Sequence, residues 1–387
     1  MPFVVDKNLE QKLVDLRKTL HRHPELSGKE LQTSSRLKKF LREFPPDEII
    51  EQVGGHGLIA LFKSGLPGPS ILLRCDMDAL PIHETNNFDH RSENEGVAHK
   101  CGHDGHMAIM AGVSAMLSKQ KPAMGSVSLL FQPEEENGRG AEKVLSDAFF
   151  ETFKPELVFA MHNLPGFAEN LVVSKQGCFA SASRGLIIRL HGSTSHAAYP
   201  ELGRSPVRVV GGLLESLTNL PLKKATFEDY CLVTIIHARI GERAFGTTPE
   251  EAVVMATLRS NLDKDMARLT FEAEELVKGL CHLYGIAYEL EYTEVYPATM
   301  NDSKAFELVK NAALKSQVEF QEIQHPFRWS EDFGRFTSKY PGAVFGLGVG
   351  IDHPGLHSNS YDFNDNVIRT GIKVFLNIVN LKNGLLN

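Results

Sequence analysis

The sequence predicts an α/β fold, a mostly parallel-sheet domain interrupted by an inserted ferredoxin-like α+β (βαββαβ) domain. Three observations carry this reading. Short apolar runs alternate with amphipathic stretches as far as Met161. Between Gly185 and Val295 the order changes to strand, helix, strand, strand, helix, strand. After Pro297 the first pattern resumes. The expected division is residues 1–183 with 296–387 for the first domain and 184–295 for the insert.

Residues 8–44 carry helical periodicity, broken at His23-Pro24-Glu25-Leu26-Ser27-Gly28. Pro24 stops the first helix, since it lacks the N–H and crowds the preceding turn. Ser27, with Glu30 three positions on, is the expected capping box of the second, which ends before Pro45-Pro46. Residues 57–62 and 70–75 read as strands. A helix is expected after Gly105, where Met107, Met110, Ala111, Val113, Ala115 and Leu117 are apolar. Residues 126–131 and 157–161 read as strands around a helix at 141–147. Strands that alternate with helices argue for a parallel sheet. In the insert, 185–190, 231–240, 252–259 and 288–295 read as strands, with helices at 205–220 and 263–284. Pro206 sits in the first turn of the former helix, where its missing donor costs nothing. That order is a split βαβ unit. A helix at 303–316, a buried strand at 342–349 and a helix at 366–385 close the chain.

Composition narrows the function. The 387 residues are 42% hydrophobic and 23% charged, as in ordinary soluble domains. A formal net charge of -7 argues against nucleic acid as partner. No long apolar run predicts a membrane span, and residues 1–13 lack the basic and apolar regions of a secretory signal. The five cysteines are odd in number and widely spaced, which is no disulfide framework. A cytoplasmic, reduced protein is expected, with Cys75, Cys178, Cys231 and Cys281 as small core residues.

Cys101 is different. It lies in His99-Lys100-Cys101-Gly102-His103-Asp104-Gly105-His106, where a thiol and imidazoles crowd a glycine-containing turn. Thiolate and imidazole suit zinc and its borderline-soft neighbours. Further ligand-type residues follow predicted strands: Asp76 and Asp78, Glu134-Glu135-Glu136, His162, and His357. In open α/β sheets, sites form at the carboxyl ends of strands. These neighbourhoods converge on one rim, and that convergence predicts a metal site.

The same residues carry a resemblance. His21-Arg22-His23-Pro24-Glu25-Leu26-Ser27, Asp76-Met77-Asp78-Ala79-Leu80-Pro81-Ile82, Cys101-Gly102-His103-Asp104-Gly105-His106 and Phe131-Gln132-Pro133 before Glu135-Glu136 are its marks. Met161-His162-Asn163, His196-Ala197-Ala198, Ser330-Glu331-Asp332-Phe333 and Leu356-His357-Ser358 complete them. With these, nearly the whole chain resembles the aminoacylase and hippurate hydrolase branch of the dinuclear metal-dependent amidohydrolases and carboxypeptidases. The resemblance implies two divalent metal ions per subunit (zinc or manganese, with cobalt or nickel acceptable) held by Cys101, His103, Glu136, His162 and His357. It implies Glu135 as general base, with the two glutamates on extended backbone pointing to opposite sides. Asp78 and Asp104 are expected to orient the ligands, and His99 and His106 to be neighbours. His196, in the insert, would steady the oxyanion in a partner subunit's site. The implied reaction is cleavage of the amide bond of a small N-acyl amino acid or related conjugate, by a homodimer paired through the insert. A dipeptidase or carboxypeptidase with the same centre, and an inactive binding protein on this fold, are the alternatives.

Some positions depart from the family pattern. Glu134 adds a third acid, Lys100 is expected to put a cation beside the site, and residues 192–195, 246–249 and 327–329 differ. Arg259 is a candidate donor for a substrate carboxylate.

Overall fold

The computed structural model describes residues 3–222 and 225–386. The expected domain ends at residues 1 and 387 lie outside the described residues. The chain divides into two compact units. The first runs to Phe179 and takes in Thr299–His325 and the chain from Asp332; the second is Ala180–Ala298 with Pro326–Glu331.

The first unit is built on a sheet of eight strands. In spatial order they are Glu48–Val53, Gly57–Lys63, Ser126–Gln132, Ser70–Asp76, Leu157–Pro165, Gly342–Gly350, Val172–Ser174 and Phe320–Glu322. The central strands from Ser126–Gln132 to Gly342–Gly350 pair in parallel. Asp76 is level with Gln132, and His162 with Gly346. The carboxyl ends of these strands therefore deliver Asp76, Gln132 and His162 at one rim, as expected for parallel strands fed from helices.

Helix His103–Lys119 is buried from His103 to Leu117, because it lies between the sheet and the helices Lys7–Arg22 and Ile368–Asn383. A helix covered on all sides is apolar all round. Leu9, Leu13, Leu16 and Leu20 supply the buried stripe of Lys7–Arg22. Gly105 permits the closest approach, since a Cβ there would stand 2.2 Å from the ring of Phe363.

The second unit is a four-stranded antiparallel sheet ordered Ala287–Tyr296, Ala182–His191, Glu251–Ser260, Cys231–Ile240. Helices Val207–Asn219 and Asp263–Tyr284 supply Val209, Leu213, Leu217, Leu269, Ala273 and Val277 to its core. In Glu251–Ser260 alternate residues are buried, the period of a sheet covered on one face. Among the described residues no helix is long and apolar enough to cross a membrane.

One local expectation is corrected. Ser27 does not cap the second helix. Its hydroxyl donates to Asp78 Oδ2 at 2.6 Å, and the helix is Leu31–Glu43, with Glu30 at its N-cap. Strands at 48–53, 172–174 and 320–322 join the sheet although their sequences carry little or no apolar alternation. They lie at or next to the sheet edges; 48–53 and 320–322 are largely open to solvent, while 172–174 is buried but too short to show a period.

Candidate metal centre

The centre begins with a turn. Gly102 is the N-cap of His103–Lys119 at φ 92, and its carbonyl accepts from Gly105 N–H at 2.9 Å and His106 N–H at 3.1 Å. The helix thus starts at His103, not after Gly105, and holds His103 rigidly beside Cys101. A Cβ at position 102 would lie 2.6 Å from Asn163 Oδ1, so both the conformation and the space require glycine.

Hydrogen bonds on one ring nitrogen decide what each imidazole presents. His103 Nδ1 donates to the Asp78 carbonyl at 2.9 Å, which leaves Nε2 buried and without a hydrogen-bond partner. That nitrogen faces Glu136 Oε1 at 3.7 Å and Glu135 Oε2 at 4.0 Å. His162 stands within the strand Leu157–Pro165 rather than after it. Its Nδ1 donates to the Asn163 carbonyl at 2.9 Å, and Nε2 lies 3.5 Å from Cys101 Sγ. His357 Nε2 is 3.8 Å from Glu136 Oε1. His106 is occupied at both nitrogens, by Asp76 Oδ1 at 2.6 Å and by Asn163 Oδ1. His99 is buried, neither ring nitrogen has a hydrogen-bond partner, and burial pushes it down to about 4, so it is neutral.

The three consecutive acids separate. They lie in a turn, not on extended backbone, with Gly138 N–H bonded to the Glu135 carbonyl at 2.8 Å. Glu134 takes φ 57, and its carboxylate turns away to Lys143 and to Asn137 Nδ2 at 3.1 Å. Glu135 and Glu136 both approach His103, so they share a side rather than pointing to opposite ones. Glu135 Oε1 also accepts from the Asp332 N–H at 3.4 Å.

Donor atoms of Cys101, His103 and His162 lie within 4.8 Å of one another, as do those of Cys101, Glu136 and His357. Ligands at roughly 2.0–2.3 Å from a tetrahedral ion stand about 3.3–3.8 Å apart. Within these triads the Cys101–His162 spacing of 3.5 Å and the Glu136–His357 spacing of 3.8 Å fall in that range. Electrostatics agree. Burial opposes a charge on His103, yet Asp76, Asp78 and Glu136 push it up to about 10. Burial, with Asp78 and Asp76 close by, pushes Glu136 up to about 8 against the pull of His103. A place that draws protons onto both an imidazole and a carboxylate is short of positive charge. A thiol, imidazoles and carboxylates so placed fit divalent cations.

Charges away from the donor cluster form a buried network. His21 Nδ1 bonds Asp104 Oδ2 at 2.8 Å, and His21 Nε2 bonds Glu84 Oε1 at 2.9 Å. Arg17 bonds Asp362 at 2.7 Å and Asp365 at 2.9 Å, with Asp104 at 3.5 Å. Lys100 is fully buried and its ammonium bonds Glu84 at 2.5 Å, so it does not stand as a cation beside the donors. Arg17 and Glu84 were not singled out in the sequence. A signal existed: Arg17 and His21 fall four apart on the apolar stripe of Leu13, Leu16 and Leu20.

Asp78 is buried; its Oδ2 accepts from Ser27 Oγ at 2.6 Å and from Glu136 N–H at 3.0 Å. It therefore orients His103 through its main-chain carbonyl and Glu136 through that residue's N–H. His196 is exposed in the second unit, its Nδ1 accepting from Ala198 N–H at 3.0 Å. Arg259, in the same unit, donates to the Arg328 carbonyl at 2.7 Å and to Ser330 Oγ at 3.1 Å.

Comparison with known proteins places these residues in context. The family model described as peptidase family M20/M25/M40 matches residues 72–381. The chain is 30% identical to a hippurate hydrolase of Campylobacter jejuni, over 95% of each chain. It is also 30% identical to an N-acetyldiaminopimelate deacetylase of Bacillus subtilis, over 94% of this chain and 96% of that one. A crystal structure of a dinuclear metal-binding peptidase from the M20 family of Bacillus subtilis superposes with a TM-score of 0.83 at 25% identity, covering 97% of this chain and 99% of that one.

Glu30 gives the centre a pH signature. Its Oε1 accepts from the N–H groups of Gly28 and Glu134, both at 2.9 Å, while burial and nearby Asp78 push its carboxyl up to about 7. The folded state therefore holds a proton that the unfolded chain releases above its ordinary 4.5. This contribution to stability is complete below 4.5 and is lost as pH rises through 7. Glu30→Gln should remove a decline on the order of 3 kcal/mol over that interval. Urea melts at several pH values check this; an unchanged slope in the variant contradicts it.

Proposed function

The chain belongs to peptidase family M20/M25/M40, and on that premise we propose that it hydrolyses the amide bond of N-acyl amino acids or related small conjugates. The observation that carries this is the pair of donor triads sharing Cys101, with the carboxylate of Glu135 beside them. In this reading Cys101, His103 and His162 hold one divalent cation, and Cys101, Glu136 and His357 the other. When bound, the two cations polarise the scissile carbonyl and make the attacking water more acidic.

The protein's own groups do the rest. Glu135 takes the proton from the water and passes it to the leaving amine. Its burial and the Asp332 N–H support that assignment, because both restrict the carboxylate to the donor side. Asp78 keeps His103 and Glu136 oriented. The hydrogen bonds on Nδ1 of His103 and His162 hold both rings in the tautomer that offers Nε2. We read the second unit as the ferredoxin-like insert and His196 as the donor that steadies the oxyanion in a partner subunit. The edge strand Cys231–Ile240, with Ile236 and Ile240 exposed, supports a homodimer through that unit.

A panel of N-acyl amino acids and dipeptides, run with zinc, manganese, cobalt and nickel, tests the proposal. Release of carboxylic acid and free amino acid from the acyl series is expected. Activity on dipeptides alone would make the protein a peptidase, and none on either series would make it a binding protein. Glu135→Gln should lower kcat by about 10²–10⁴ with bound metal unchanged; surviving turnover would remove Glu135 as base. Cys101→Ser should lower the bound metal in elemental analysis, and unaltered stoichiometry would remove Cys101 as a ligand. Light scattering should give the mass of two chains, and a single-chain mass would exclude the dimer.

A further inference from the structure

Of the side chains proposed to hold cations, His357 has the least regular support. It lies in the loop after strand Gly342–Gly350, at φ 63, with its side chain 53% exposed. A residue with a side chain resists that left-handed conformation and needs neighbours to keep it there. Its N–H donates to the Lys100 carbonyl at 2.8 Å. Further along the loop, the Tyr361 carbonyl accepts from Lys100 Nζ at 2.6 Å. In between, the carbonyls of Asn359 and Ser360 accept from Thr85 N–H at 3.1 Å and Asn86 Nδ2 at 3.0 Å. Lys100 thus grips the loop at 357 and again at 361, once with its main chain and once with its side chain. It also directly precedes Cys101, which shares a donor triad with His357.

A buried ammonium persists only with a counter-charge and full hydrogen bonding. Glu84 provides the charge, and it is itself held by His21 Nε2 at 2.9 Å and by the Ser92 N–H at 2.7 Å. The hydrogen bonds that orient His103 and His162 go instead to the carbonyls of Asp78 and Asn163. Apart from Cys101, which belongs to both, the donors of the two triads therefore have separate supports.

Resting on the two-cation reading above, we infer that Lys100, locked by Glu84, is a positioning residue that sets cation affinity at the Cys101–Glu136–His357 position and leaves the Cys101–His103–His162 position unchanged. Lys100→Met combined with Glu84→Gln tests this, because removing both charges together avoids stranding one in the interior. Zinc and manganese binding is followed by calorimetry, and bound metal is counted by elemental analysis. The unaltered protein should take two ions. The double variant should keep one at unaltered affinity and bind the other about 10–100-fold more weakly. His357→Ala should lose that same ion. Lys100→Gln, which keeps an N–H donor for the Tyr361 carbonyl, should fall between, and it carries the test alone if the double variant does not melt cooperatively. Two ions bound with unaltered affinity in these variants overturn the inference. So does equal weakening of both positions, which would make Lys100 a general support of the fold. Fewer than two ions in the unaltered protein would overturn the two-cation reading and this inference with it, a result distinct from either of those.

Discussion

Asp104 is a carboxylate with no exposure to water, one residue beyond His103. Stranding such a charge would cost several kcal/mol, so it must be met by cations inside the protein. His21 and Arg17 meet it from the first helix, and their charge is balanced in turn by Glu84, Asp362 and Asp365. Glu84 then takes Lys100. One chain of ion pairs ties the first helix, the segment around residue 84, the Cys101–His103 turn and the chain at 361–365. Burial holds the carboxylates of Asp104 and Glu84 under tension, but the cations win, and Glu84 is held down to about 2. The start of the His103–Lys119 helix stays put because moving Asp104 away from His21 and Arg17 would break charges apart in a medium that cannot solvate them.

A second buried network is centred on Arg74. Arg74 bonds Asp76 at 2.9 Å, Asp332 at 2.7 Å and Gln132 at 2.9 Å. Asp76 orients His106, and the Asp332 main chain reaches Glu135. Both networks pair most of their charged groups among themselves, with Asp104 Oδ1 left buried without a hydrogen-bond partner. His103 Nε2 stays outside both, gathered with the Cys101 thiol and the neighbouring carboxylates where they can meet a cation. Rigid support around a few gathered donors is what a preorganised site needs.

Much of this was legible in the chain. The alternation of strands and helices marks the parallel sheet, since a buried parallel strand must be apolar and brief. Ligand types at strand ends mark the rim. What escaped the sequence escaped for definite reasons. Glu134, Glu135 and Glu136 are chemically identical, and only the left-handed backbone at Glu134 and the ammonium of Lys143 tell the first from the others. Ser27 and Glu30 have the spacing of a capping box, but Asp78 and the Glu134 N–H compete successfully for them. Lys100 reads as a cation next to Cys101, while its flexible stem carries the charge to Glu84.

By itself the sequence determined which residues are apolar in what period, and so the helices, the strands and the carboxyl-end rim where Cys101, His103, Glu136, His162 and His357 collect. It also determined the donor types, and with them the class of ion the rim suits. Only the tertiary structure decided which nitrogen each histidine presents, that Glu135 and Glu136 face the donors while Glu134 turns away, and which charges balance which. Those choices rest on pairs far apart in the chain, Arg17 with Asp362, Lys100 with Tyr361, Arg74 with Asp332. Local sequence sets the period of burial, but a buried charge is satisfied by whatever the fold brings near it.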